Sequence, residues 1–104
     1  MTVLDRAHFE HMTGGDCALQ AEVIGLFRAQ ADGWRTKLNE TADWRGAAHT
    51  LKGSARGIGL APLAAACEAA EAASEADAPA ALERVRAELE QALSALDQFV
   101  ADAR

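Results

Sequence analysis

The chain has 104 residues, half of them apolar and a quarter charged, with a formal net charge of −6. This length suits one domain over residues 1–104 with a single hydrophobic core. The negative charge disfavours nonspecific binding to nucleic acid or to an anionic membrane, and no apolar run approaches the roughly 20 residues of a membrane helix. Without a signal peptide at its start, the protein is expected to be cytoplasmic.

An alanine-rich composition with few β-branched residues favours helices throughout the chain. A short first helix is predicted over residues 4–12, and Gly14 and Gly15 end it. Asp16 is the predicted N-cap of a long second helix. Apolar residues at helical spacing form the predicted buried stripe of this helix: Leu19, Val23, Leu26, Phe27, Trp34 and Leu38.

Three further helices follow. Thr41 or Asp43 caps the third, which ends at Gly59, whereas Pro62 suits the first turn of the fourth and Pro79 opens the fifth. Their predicted buried stripes are, in turn, Trp44, Ala47, Ala48, Leu51, Ala55 and Ile58; Leu60, Leu63, Ala64, Cys67 and Ala70; and Leu82, Val85, Leu89, Leu93, Leu96, Phe99 and Val100.

Short loops join the four longer amphipathic helices, so sequential helices are expected to be antiparallel neighbours. The predicted fold class is therefore all-α, an up-down antiparallel four-helix bundle with a short additional N-terminal helix. Cys17 and Cys67 are expected to act as small hydrophobic residues. No metal site is predicted, because His8 and His11 are three residues apart without an evident third ligand.

Positive charge is concentrated in one short segment of this acidic chain. Residues 44–65 contain Arg45, Lys52 and Arg56 and no acidic residue, whereas the segments before and after are both net negative. The group that binds at this segment is therefore expected to carry negative charge.

The third helix has a histidine on its predicted outer face. On a helical wheel, His49 points away from the buried stripe, and Lys52 and Gly53 lie one turn further along on the same side. An exposed helical glycine costs about 1 kcal/mol relative to alanine. We therefore interpret Gly53 as leaving room for another protein to approach the imidazole. Neutral imidazole is a competent nucleophile, and Lys52 provides a cation for a phosphoryl group carried on the ring.

Residues 48–55 read AHTLKGSA and are followed by Ile58 and Gly59. This stretch resembles the signature of histidine-containing phosphotransfer (HPt) domains, H-x-x-K-G-[SA] followed by an apolar residue and a glycine. A looser resemblance covers the whole chain. Arg56 and Gly57 depart from the small residue and asparagine of many members, and we interpret Arg56 as a partner-specificity feature.

The resemblance implies a role for each residue of the motif. His49 is the implied phosphoacceptor, Lys52 positions or neutralises the phosphate, and Gly53 gives steric access to the docking partner. Four residues around them are expected to contact that partner: Arg45, Ala48, Thr50 and Arg56.

The resemblance also implies a monomeric phosphoryl carrier without an ATP site of its own. Such a carrier exchanges a phosphoryl group reversibly between His49 and an aspartate of response-regulator receiver domains in a two-component phosphorelay. A hybrid sensor histidine kinase is the expected upstream partner. No cofactor is expected on this chain, because the receiver domain supplies Mg²⁺.

Two alternatives stay open. The dimerisation and histidine region of a sensor kinase usually has an acidic residue directly after the histidine and a proline soon after it. Here Thr50 follows His49, and no proline occurs before Pro62. The other alternative is a module that docks a receiver without phosphorylation, in which His49 is incidental.

Overall fold

A computed structural model describes residues 2–39 and 43–103, which form five helices. In chain order these are α1 (Arg6–Thr13), α2 (Cys17–Asn39), α3 (Trp44–Ile58), α4 (Ala61–Ala72) and α5 (Ala78–Asp102). The predicted fold class is confirmed: α2 to α5 form a bundle in which each packs on the next and α5 returns to α2, and α1 packs against α3 and α2. None of the described helices combines the length and apolar character needed to cross a bilayer.

Local sequence determines where the helices begin and end. The Asp16 carboxylate accepts hydrogen bonds from two backbone N–H groups in the first turn of α2, at 2.9 and 3.1 Å. Gly59 ends α3 with a φ of 98°, a left-handed conformation that glycine adopts readily. Pro62 lies in the first turn of α4. The predicted cap Thr41 lies outside the described residues, and Asp43 precedes α3 without a side-chain capping bond.

The α3–α4 pair is the most extensive helix contact of the bundle. The two predicted stripes that meet there are confirmed, because every residue of both is buried. Many of these residues are alanine, which lets the two backbones approach closely. Side chains on the outer edges of α3 and α4 can therefore reach one another.

The predicted stripe of α2 is wrong at two positions. Leu19 and Leu26 are 40% and 61% exposed. The buried line of α2 instead comprises Gln20, Ile24, Phe27, Ala31, Trp34 and Leu38. Residues directly before or after that line are turned by about 100° around the helix axis and lie at its rim. The buried amide of Gln20 donates to the Thr13 hydroxyl at 3.1 Å, which satisfies it inside the core.

The α1 segment holds the far end of α3. The backbone N–H of Asp5 donates to the carbonyl of Gly59 at 2.8 Å, and Nε2 of His8 lies 3.1 Å from the carbonyl oxygen of Gly57. These contacts occupy carbonyl groups that the end of a helix leaves without partners. They fix the last turn of α3, two turns beyond His49.

Ion pairs join α2 to α5. Nε of Arg35 donates to Glu90 at 2.8 Å, and Arg28 pairs with Asp97. Hydrogen bonding to Glu90 is the main cause that raises the pKa of Arg35 above its usual value. This face of α2 therefore contacts α5.

Candidate functional site

His49 projects from the middle of α3 into solvent. Its side chain is 71% exposed. Ala48, Leu51 and Ala55, on the inner side of the same helix, are completely buried. The packed inner face therefore holds the backbone of α3 in place, and the imidazole stands on a stiff support.

A carboxylate from α4 connects His49 to Lys52. One oxygen of Glu71, Oε2, lies 3.1 Å from Nδ1 of His49, and the other, Oε1, lies 2.7 Å from Nζ of Lys52. The side chain of Lys52 is 15% exposed and that of Glu71 is 24% exposed. Because water has limited access to this ion pair, salt screens it less than a fully exposed pair.

Glu71 determines which nitrogen of the His49 ring carries the proton. The hydrogen bond from Lys52 is the main cause that holds the pKa of Glu71 below its usual 4.5; burial opposes the shift, and the bond from His49 adds to it. The ionised carboxylate can only accept hydrogen bonds. Nδ1 of His49 therefore donates its N–H to Glu71, and Nε2 holds the free lone pair.

Glu71 was not among the site residues predicted from the sequence, and it adds a negative charge beside the cationic segment of residues 44–65. Glu71 follows the buried Ala70 and lies four residues after the buried Cys67, so it flanks the buried line of α4 on the side of α3. An acidic residue directly beside the buried line of an alanine-rich helix is the signal that could have identified it.

The guanidinium groups of Arg45 and Arg56 contact α4 or the residue directly after it. Nη2 of Arg45 donates to the carbonyl oxygen of Ala73 at 2.7 Å, and its guanidinium carbon lies 4.3 Å from the ring centroid of Trp44. Nη2 of Arg56 lies 3.4 Å from Oε2 of Glu68. Both arginines therefore tie α4 to α3 on either side of Glu71, and their contact with a partner remains a prediction.

The two other predicted docking residues, Ala48 and Thr50, differ in their exposure to solvent. Ala48 is completely buried, so the prediction that its side chain contacts a partner needs correction. It lies on the inner face of α3, directly before the exposed His49. Thr50 is exposed, and its hydroxyl donates to the carbonyl of Gly46 at 3.0 Å.

Gly53 opens onto a shallow groove between α2 and α3. Apart from the local backbone of α3, no atom lies within 4 Å of the position that a Cβ would take on Gly53 or on Gly57. The groove has a volume of about 220 Å³, and its lining includes the apolar residues Met12, Val23, Leu26, Phe27 and Ile58. Leu26 and Met12 are 61% and 41% exposed. Exposed apolar side chains therefore border the open space at Gly53.

The two cysteines lie apart from this chemistry. Cys17 is exposed on α2, and Cys67 is buried in α4; both are free thiols. Burial, assisted by the Glu71 carboxylate, raises the pKa of the Cys67 thiol to about 12. Cys67 is therefore a neutral thiol near neutral pH and serves as a packing residue.

Comparisons with known proteins agree on one family. The model of the Hpt domain matches residues 18–99. The chain is also similar to the histidine phosphotransferase ShpA from Caulobacter crescentus, known from a crystal structure. The two chains are 38% identical with a TM-score of 0.84, and the match covers 98% of this chain and 94% of that one. No curated protein sequence gives a significant match.

Proposed function

The chain belongs to the Hpt domain family, and on that premise we propose that it is a phosphoryl carrier of a two-component phosphorelay. His49 accepts a phosphoryl group from a phospho-aspartate of one receiver domain and passes it to another. The observation that carries this proposal is the exposed ring of His49, whose Nδ1 lies 3.1 Å from a carboxylate oxygen of Glu71 and whose Nε2 is left free for attack. The similarity to a histidine phosphotransferase supports it.

In the proposed step, the Nε2 lone pair of His49 attacks the phosphorus of the phospho-aspartate. The bond between phosphorus and the aspartate oxygen breaks, and its electron pair leaves with the carboxylate. Positioning and charge stabilisation supply most of the catalysis in phosphoryl transfer. We expect the receiver to hold the Mg²⁺ that offsets the phosphoryl charge, and this chain to contribute no cofactor.

Lys52 is the cation that we assign to the transferred phosphoryl group. Its ammonium has three donors, so it can bind Glu71 and a phosphoryl oxygen at the same time. It lies one turn from His49 on α3, and its contact with Glu71 at 2.7 Å holds it beside the ring. Lys52 thus neutralises charge at the phosphoryl group without leaving its partner on α4.

Replacing Lys52 with methionine is expected to slow phosphoryl transfer about tenfold, which corresponds to roughly 1.4 kcal/mol of lost charge stabilisation. The variant should also be less stable at pH 7, because Glu71 loses its cation. Transfer rates and urea unfolding measure the two effects, and Lys37→Met on α2 is the control.

The stability difference between wild type and Lys52→Met depends on pH. Folding lowers the pKa of Glu71, so the stability from its ion pair is present above about 4.5 and is lost as the pH falls further. Unfolding curves of the two proteins should therefore converge in acid. A difference that persists unchanged at low pH would contradict this assignment.

The groove beside Gly53 is the surface that we assign to receiver docking. It begins one turn from His49, and its rim carries the exposed Leu26 and Met12. An apolar groove beside His49 allows a receiver to exclude water and to bring its aspartate to the ring. The two glycines leave open space on the α3 side of the groove, between the side chains of Ser54 and Ile58.

Replacing Leu26 with glutamate is expected to weaken receiver binding about tenfold or more, because a charge would be buried in the apolar contact. Leu19→Glu is the matched control, since Leu19 is an exposed leucine of α2 two turns away and outside the groove lining. Titration calorimetry with a receiver domain gives both affinities. Equal losses in the two variants would argue against the groove as the docking site.

The proposed function is tested by incubating the chain with a receiver domain that carries radioactive phosphate on its aspartate. The expected result is an acid-labile, base-stable label that peptide mapping places on His49. A sensor-kinase fragment would instead label itself with ATP and sediment as a dimer, and a phosphorylation-independent module would bind the receiver without taking label.

A further inference from the structure

We propose that Arg56 and Glu68 select the receiver domain by its charges: Arg56 binds an acidic side chain of the matching receiver, and Glu68 binds a basic one. This inference rests on the proposed function and names the chemistry of the partner on the α4 side of His49. The two side chains meet from α3 and α4, with Nη2 of Arg56 3.4 Å from Oε2 of Glu68.

Arg56 lies within reach of any protein that docks on His49. The two residues are seven positions apart on α3, which places them on the same face of the helix and about 10 Å apart along its axis. A small transient interface covers about 600 Å² of each partner, a patch of roughly 14 Å radius. Gly57, which directly follows Arg56, lines the groove assigned to receiver docking. A receiver centred on His49 therefore covers Arg56 as well.

Among the cations of residues 44–65, Arg56 is the one that the bundle engages least. Lys52 is 15% exposed and forms a close ion pair with α4. Arg45 donates to two backbone carbonyl oxygens and lies over an indole ring. Within residues 2–39 and 43–103, the Arg56 guanidinium uses one of its five N–H groups, in the bond to Glu68. Its other donors are therefore available to a partner.

The contact between Arg56 and Glu68 is easily exchanged for contacts with another protein. The two side chains are 56% and 65% exposed, and the N–O distance of 3.4 Å is long for a charge-assisted hydrogen bond. Exposed ion pairs of this kind contribute little to stability, because water and salt screen them. Turning both groups towards a receiver therefore costs the bundle little.

An open recess beside the pair leaves room for side chains of a receiver. It has a volume of about 370 Å³ and lies between the α1 segment and the first turns of α4. Its α4 side includes Ala61, Ala64 and Ala65. Because alanine side chains are short, they leave Arg56 and Glu68 accessible from this side.

The polar side chains of the α1 segment at this recess are bound within the protein. Oδ1 of Asp5 accepts the backbone N–H of His8 at 3.0 Å, and Nε2 of His8 lies 3.1 Å from the carbonyl oxygen of Gly57. The Arg56–Glu68 pair is therefore the part of the recess whose charged groups can turn to a partner.

The order of the two charges provides the selectivity. A receiver with an acidic group facing Arg56 and a basic group facing Glu68 gains two attractive contacts, whereas a receiver with these charges reversed meets two repulsions. Like charges brought together in an interface oppose binding strongly, so the pair excludes wrong partners. The apolar side chains of the groove do not make this distinction between receivers.

The test reverses the pair as a unit. In Arg56→Glu/Glu68→Arg, the two side chains can still pair with each other, so the fold is retained while the charge order is inverted. For a receiver that exchanges phosphate with wild type, the Kd should rise about tenfold or more, and transfer from phospho-His49 at low receiver concentration should slow to match. Arg28→Asp/Asp97→Arg, the same exchange in an exposed ion pair between α2 and α5, is the control and should change neither.

Two measurements separate selection by charge from damage to the site. Potassium phosphoramidate phosphorylates the His49 ring without a receiver domain, and this labelling should proceed at the wild-type rate in Arg56→Glu/Glu68→Arg. Raising the salt concentration from about 50 to about 500 mM should weaken receiver binding by wild type more than binding by Arg56→Gln/Glu68→Gln, because salt screens charge pairs.

Receivers with reversed charges complete the test. Among variants in which the charged residues around the receiver's aspartate are inverted one at a time, at least one should bind Arg56→Glu/Glu68→Arg more tightly than the unchanged receiver does. Failure of every such variant to restore binding would overturn the inference. Equal affinities of wild type and Arg56→Glu/Glu68→Arg would also overturn it, even if His49 carries the phosphoryl group as proposed. If the wild-type chain takes phosphate from phosphoramidate but from no receiver domain, the proposed function itself fails, and the inference fails with it.

Discussion

Replacing His49 with glutamine is expected to abolish phosphoryl transfer from a receiver domain while leaving the helical bundle intact. The glutamine amide has no lone pair on nitrogen that can attack phosphorus, so the loss should be complete rather than partial. The ring is 71% exposed and contributes no packing to the core, so the stability should change by less than about 1 kcal/mol. Radioactive transfer assays and thermal melts measure the two effects.

His11→Gln is the matched control for this experiment. His11 is an exposed histidine of α1 that does not line the groove, so its replacement should leave the label at the wild-type level. A stable label that persists in His49→Gln would place the phosphoryl group on another residue and would refute the carrier assignment. Loss of the label in His11→Gln would point to a nonspecific effect of histidine replacement.

Replacing Gly53 with glutamine is expected to reduce receiver-dependent transfer by about a hundredfold. The new side chain would stand in the groove beside His49 and hold the receiver away, and a displacement of about 1 Å can cost that much in rate. Nothing within 4 Å of the added Cβ opposes the substitution in the free protein. Labelling by phosphoramidate should therefore continue at the normal rate, because a small reagent still reaches the ring.

Two further variants separate crowding from helix stability. Gly53→Ala should stabilise the protein by up to about 1 kcal/mol, because alanine is the better helix former, and should reduce transfer only slightly. Gly25→Gln places the same side chain on α2 near Arg28, on the side of α5, where the open space is similar. It should leave transfer unchanged. Equal transfer by wild type and Gly53→Gln would show that the glycine does not serve access.

Sequence periodicity was sufficient for the part of the site that lies on one helix. Spacing along α3 placed His49 opposite Leu51, and the structure shows the first exposed and the second completely buried. The same reasoning failed on α2, where it assigned Leu26 to the core. Hydrophobicity alone does not distinguish a leucine that packs inside from one that a partner covers, because both satisfy the same apolar pattern.

The contact between Glu71 and His49 could not be predicted from the sequence, for a different reason. The two residues are on separate helices, and their contact depends on how closely α3 and α4 approach and on their relative rotation. Small buried residues along both stripes fix these quantities, and the spacing within either helix does not reveal them. A pattern on a single helix therefore pointed to His49 and Lys52 but not to the carboxylate that contacts both of them.

The groove and the Glu71–Lys52 pair lie on opposite flanks of His49, and apart from α3, which they share, they involve different helices. The wall that faces the groove from α1 and α2 carries no charged residue, whereas the chemistry of the ring depends on α3 and α4. If the groove binds receivers as proposed, mutations at its rim change which receiver binds without altering the reactivity of the imidazole. After gene duplication, surface changes in α1 and α2 can therefore direct one copy of this protein to a different receiver domain.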